Sequence, residues 1–105
     1  MFARRLSMHL KPNSVAQFTE IEENETIPVF RQQKGFLDLT AFVSPSGTEA
    51  FVITLWDGLE SAEAYGRDTC PRLVKLLENV IEGTPVLETY NVSNSTSHKI
   101  AAAAA

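Results

Sequence analysis

Two neighbouring runs, Phe36 to Val43 and Glu49 to Trp56, are apolar on both of their faces, and the chain around them supplies only two helical segments. In the first run Phe36 and Phe42 share a face with Asp38 and Thr40, while Leu37, Leu39, Ala41 and Val43 fill the other. In the second, Phe51, Ile53 and Leu55 oppose Ala50, Val52, Thr54 and Trp56. The turn Ser44-Pro45-Ser46-Gly47 between them predicts a hairpin. Two helices cover one face of such a sheet, so its second apolar face needs another cover.

The remaining segments supply the partners. From Arg4 to Lys11 the residues alternate, with Leu6, Met8 and Leu10 on one face and Arg5, Ser7, His9 and Lys11 on the other, as a strand requires. Pro12-Asn13 ends it, and Ser14 with Gln17 three residues later predicts a capping box for a helix carrying Val15, Phe18 and Ile21. Glu20, Glu22, Glu23 and Glu25 are expected on its solvated side. Pro28 kinks or restarts that helix. Asp57 is placed to cap a second helix, which breaks near Gly66 to Pro71 and resumes with Leu73, Leu76, Leu77, Val80 and Ile81 at helical spacing. Gly83 is read as its stop, and Pro85 to Val92 as a last strand.

The order β-α-β-β-α-β predicts an α+β, ferredoxin-like fold with an antiparallel sheet and both helices on one face. A second copy related by a two-fold axis is the simplest cover for the other face, giving a homodimer through the sheet faces, with a cavity either between each sheet and its helices or between the two sheets. Residues 1–93 read as one domain, and 94–105 as a polar, Ala-rich tail from which Ala101 to Ala105 are left out of the fold. A net charge of -4 with nine scattered Lys and Arg residues argues against nucleic acid, and 44% hydrophobic residues without a long apolar run argue against a membrane span. One cysteine, Cys70, and an N-terminus lacking the apolar core of a secretion signal imply a cytoplasmic location.

Within that plan, Arg31-Gln32-Gln33-Lys34-Gly35-Phe36 after the first helix, and Ile53-Thr54-Leu55-Trp56-Asp57 running into Ser61-Ala62-Glu63-Ala64-Tyr65, resemble the antibiotic biosynthesis monooxygenase family of dimeric α+β barrels. The resemblance runs from about Arg4 to Val92. It implies an oxygenase working without flavin, haem or metal on a small aromatic such as a quinol, an anthrone or a polyketide-like ring, which once deprotonated itself reduces O₂. Some barrel relatives degrade haem with an Asn on the first strand and a Trp and a His on the second helix. Here the corresponding positions hold Leu6, Tyr65 and Arg72 or Lys75, which disfavours that role.

For the oxygenase, His9 is the candidate base, since a histidine titrates near neutral pH, and Tyr65 is the second candidate catalytic residue. Trp56, Asp38, Thr40, Thr54 and Phe42 are candidate substrate contacts. Each also has a plainer reading: His9 as solvated surface, Trp56 and Tyr65 as core, Cys70 as an inert small hydrophobe. One Cys and two distant His residues make no metal site, and no cofactor motif is present. The competing function is a barrel without catalysis that binds a small apolar molecule or serves as an accessory or stress protein. Convergent polar groups in the cavity would favour the enzyme, and a closed cavity the alternative.

Overall fold

A computed structural model describes residues 1–98, and the Ala101 to Ala105 run lies outside the described residues. Strands β1 (Phe2–Leu10), β2 (Phe36–Val43), β3 (Glu49–Trp56) and β4 (Ile81–Asn91) form one sheet in the order β2-β3-β1-β4, and every neighbouring pair is antiparallel. Helices α1 (Val15–Ile21), α2 (Ile27–Arg31), α3 (Leu59–Asp68) and α4 (Cys70–Leu76) pack on one face, so the chain has the ferredoxin-like α+β architecture. Period-2 alternation decides that face. Ala50, Val52, Thr54 and Trp56 of β3 are buried beneath the helices, and Phe51, Ile53 and Leu55 point to the open side.

The core has two clusters. Met8, Leu10, Phe18, Ala50, Val52, Leu77, Val80 and Ile81 form one, and Phe30, Trp56, Ala62, Tyr65, Cys70 and Leu73 the other. Among the described residues no helix is long and apolar enough to cross a membrane.

Five local readings are corrected. Ser14 precedes α1, but its hydroxyl turns back to the Pro12 carbonyl at 3.4 Å, and no side-chain cap forms. The N-cap of α3 is Gly58 rather than Asp57, whose backbone N–H instead donates to the Gly35 carbonyl at 2.8 Å. A bulge between Phe36 and Asp38 puts Phe36 opposite Trp56 on the helix-covered face, apart from Asp38 and Phe42. One extra residue, Leu37, is enough to switch faces. Finally, α4 ends at Leu76, and Ile81 begins β4 opposite Leu10. Val80 and Ile81 are buried as their spacing requires, but the Val80 carbonyl accepts the Lys11 N–H at 2.8 Å and draws the chain into the sheet. Gly83, at φ 71°, does not stop a helix. It lies within a β4 bulge in which Gly83, Thr84 and Pro85 face Met8 alone.

Between α1 and α2 the chain stays helical through a π turn, Glu22–Thr26, closed by the Ile27 N–H on the Glu22 carbonyl. Pro28 falls in the first turn of α2, and in this continuous helical path its missing N–H leaves a carbonyl of the π turn without a helical partner. Phe18, Glu22, Thr26 and Phe30 are all buried, each four residues after the last. On a regular α-helix four residues advance about 40° past a full turn, so such a row drifts around the axis; the wider π turn holds it facing the sheet.

Candidate functional site

The inward row of β1 begins with a charge. Arg4 precedes Leu6 and Met8 at the same parity, so the strand carries its side chain under the helices, where it is nine-tenths buried. Its Nη2 donates to Cys70 Sγ at 3.6 Å, and its guanidinium carbon stands 5.2 Å from the Tyr65 ring centroid. Gly66 makes room for it: a Cβ there would collide with Nη1, which accounts for a glycine inside α3 despite its helix cost of about 1 kcal/mol.

Arg4, Val52 and Thr54 form the floor of a cavity roofed by Glu22, Thr26 and Phe30, with Tyr65, Cys70 and Leu73 at its side. Its free volume is about 30 Å³, one water's share of the liquid. Apart from Arg4, Glu22, Thr26, Thr54, Tyr65 and Cys70 the lining is apolar.

Tyr65 stacks on Trp56 at 5.0 Å and lies 4.7 Å from Phe30. Burial, and then the neighbouring Cys70, push its phenol well above the ordinary range, with Arg4 opposing and Glu22 adding to the rise. Tyr65 therefore stays protonated and acts as a hydrogen-bond donor. Burial likewise lifts the Glu22 carboxyl from 4.5 to about 7. Among the described residues neither Glu22 Oε2 nor Thr26 Oγ1 has a hydrogen-bond partner, and neither Arg4 nor Glu22 forms an ion pair. No group of three or more His, Cys, Asp or Glu side chains among the described residues is placed to hold a metal ion.

The residues singled out in the sequence divide between the two faces. Tyr65 and Thr54 line the cavity, and Trp56, fully buried, packs against Tyr65 with its indole N–H bonded to Thr54. Asp38, Thr40 and Phe42 pair with Leu55, Ile53 and Phe51 on the open face. Asp38 Oδ2 lies 3.5 Å from His98 Nε2, Thr40 is exposed, and Phe42 stacks on Phe51 at 4.7 Å. His9 is also on the open face, 70% exposed and 3.7 Å from Glu49. Glu22, Thr26 and Arg4 were not singled out. Glu22 was assigned to the solvated side although it follows Phe18 by four and Val15 by seven, the spacing of the buried face.

No protein-family model and no curated protein matches this chain. Its fold does recur among solved structures. A protein of unknown function from Nitrosomonas europaea matches with a TM-score of 0.74 at 14% identity, over 96% of this chain and 94% of that one. SnoaB, a cofactor-independent oxygenase from Streptomyces nogalater, matches with a TM-score of 0.72 at 13% identity, over 92% and 97%. The ActVA-Orf6 monooxygenase of Streptomyces coelicolor, solved with the ligand nanaomycin D, matches with a TM-score of 0.72 at 20% identity, over 90% and 88%. Others are named antibiotic biosynthesis monooxygenases. The fold is that of the antibiotic biosynthesis monooxygenases.

Proposed function

We propose that this protein is a cofactor-independent monooxygenase of a small, electron-rich aromatic such as a quinol, an anthrone or a polyketide-like ring, bound between the sheet and its helices. The observation that carries the reading is the convergence of Arg4, Glu22, Thr26, Thr54 and Tyr65 on one otherwise apolar cavity. That two neighbours in fold are named as oxygenases, one of them solved with the ligand nanaomycin D, supports it.

In the reaction the substrate is the reductant, so no flavin, haem or metal is needed. Loss of a proton leaves an anion whose negative oxygen Arg4 and Tyr65 hold by donated hydrogen bonds. One electron passes to O₂, the radical pair combines at a ring carbon as a peroxide, and the peroxide O–O bond breaks with loss of water. For an anthrone, the ring CH₂ becomes C=O, its two hydrogens leave in water with the second oxygen atom, and the balance closes.

A ligand of this class needs on the order of 300 Å³. The roof must therefore yield, and it is built of short helical pieces, two joined through the π turn, beside a pair broken at Thr69. His9, Asp38, Thr40 and Phe42 are assigned to the open face, which a second copy covers in a homodimer. The reduced state of Cys70 suits the cytoplasm.

The tightness of the cavity favours a second reading, a barrel without catalysis that closes on a small apolar molecule or acts as an accessory or stress protein. Oxygen uptake by chelator-treated protein over a panel of anthrones and naphthoquinols separates the two. Saturable uptake that falls about tenfold or more in Tyr65→Phe supports the oxygenase. Uptake lost in His9→Ala but kept in Tyr65→Phe would move the site to the open face. Wild type no faster than buffer would put the binding barrel ahead.

A further inference from the structure

Glu22 is hard to explain as architecture. Its side chain is 95% buried, no hydrogen bond reaches Oε2, no cation pairs with it among the described residues, and a leucine in its place would fill the same row as Phe18 and Phe30 without desolvating a charge. The π turn that begins at Glu22 keeps it and Thr26 aimed at the cavity. Such turns interrupt helices frequently at functional sites. Across from this acceptor pole stands a donor pole, since the Arg4 guanidinium lies over the Tyr65 ring, 5.2 Å from its centroid, and both residues line the same cavity.

We infer that Glu22 is the catalytic base of this cavity, and that its ligand is an aromatic hydroxy-ketone with hydroxyl and carbonyl in conjugation. The inference rests on the oxygenase reading and narrows its substrate class. The hydroxyl O–H bond breaks, the proton forms an O–H bond on the Glu22 carboxylate, and the electron pair left on the substrate spreads through the ring to the carbonyl oxygen held by Arg4 and Tyr65. Both ends of the ligand are thereby matched, and a plain hydrocarbon ring satisfies neither. Three titratable groups face Glu22 across the cavity: Arg4 from β1, Tyr65 from α3 and Cys70 from α4. Burial already leaves the carboxyl near neutrality, the range in which a general base is most effective.

The test uses 1,8-dihydroxyanthraquinone, a dye that turns from yellow to red when a hydroxyl conjugated with its carbonyl ionises, with a midpoint above that of Glu22, and that, being already a quinone, is not consumed. It is added to wild type and Glu22→Gln one pH unit below its own midpoint, where the Glu22 carboxyl is no longer mostly protonated. The expected result is red bound dye on wild type and yellow bound dye on the variant, the ionised fraction falling about tenfold. In turnover of an anthrone, kcat/KM should fall about a hundredfold and lose its rise with pH near 7. Bound dye of the same colour on both proteins overturns the role of Glu22 while leaving the aromatic site standing. Failure of the dye to bind wild type overturns the aromatic site, and this inference with it.

Discussion

The hydroxyl oxygen of Thr54 accepts a hydrogen bond from the indole N–H of Trp56 at 2.9 Å. The two residues are two apart on β3 and so share the helix-covered face, where Trp56 has no exposed surface and its N–H no other outlet. The bond leaves the Thr54 hydroxyl proton free to serve the cavity. Thr54→Val keeps the shape and removes the acceptor, so it should cost about 1–3 kcal/mol, and Thr54→Ser much less. Urea unfolding followed by the fluorescence of the single tryptophan measures both. Equal stability of the valine variant and wild type would show that the bond contributes nothing.

Glu22 should give the protein an inverted dependence on pH. Its carboxyl is raised from 4.5 to about 7, so between those values the folded chain keeps a proton that the unfolded chain has lost. The folded state binds more protons there, and stability falls as pH rises through the window. At about 1.4 kcal/mol per pH unit the full cost above pH 7 is about 3 kcal/mol. Glu22→Gln should match wild type near pH 4.5 and exceed it by about 2–3 kcal/mol at pH 8. Denaturation of both proteins across this range isolates Glu22 from the other carboxylates. A difference that does not change with pH would refute the burial of its charge.

Two glycines with the same backbone sign should respond differently to alanine. Gly35 has φ 80°, and a Cβ there would strike the Ser61 side chain and the Asp57 carboxylate at the start of α3. Gly83 has φ 71° with open space around it. Gly83→Ala should cost about 1 kcal/mol for the backbone alone, and Gly35→Ala at least about twice that, because a collision adds to the strain. Thermal melts of the pair decide it, and equal losses would mean that the Ser61 contact relaxes freely.

How far these features were legible in the residues follows from which physical signal each one used. The alternation of β1 and β3, the helix break ahead of Pro71 and the order of elements depend on local period and on proline, and they appear where the sequence places them. Phe36 changed faces because one bulged residue, set by pairing with β3, leaves no mark in a period-2 reading. Ile81 kept its burial but not its helix, since the i, i+3, i+4 pattern records which residues are buried and the sheet contact at Leu10 decides how. Glu22 was obscured by its charge: its spacing matched the buried row of α1, and the expectation that charged side chains face water overrode it. Arg4 was placed on neither face, although its parity with Leu6 and Met8 sets it on the buried row of β1. Both residues line the cavity.

The open face of the sheet supplies the last prediction. Phe42 and Phe51 stack there at 4.7 Å with ring planes 21° apart, Arg5 lies 4.4 Å over the Phe51 ring, and Ile53 and Leu55 extend the patch along β3. On β4, Val86 and Tyr90 pair with Ser7 and Ala3 and continue it to the far edge, at 59% and 46% exposure. An apolar surface running across all four strands is larger than a monomer ordinarily leaves in water, and in an isologous dimer the same patch on each copy covers that of the other. A charge near the middle of the patch then enters the interface twice. Ile53→Asp should convert a dimer of about twice 11.6 kDa into a monomer while preserving the helix-covered core and its circular dichroism. Lys75→Glu in α4, on the helical side, should leave the dimer intact. Gel filtration with light scattering reads all three proteins, and a wild-type monomer would sink the dimer and require a different cover for this face.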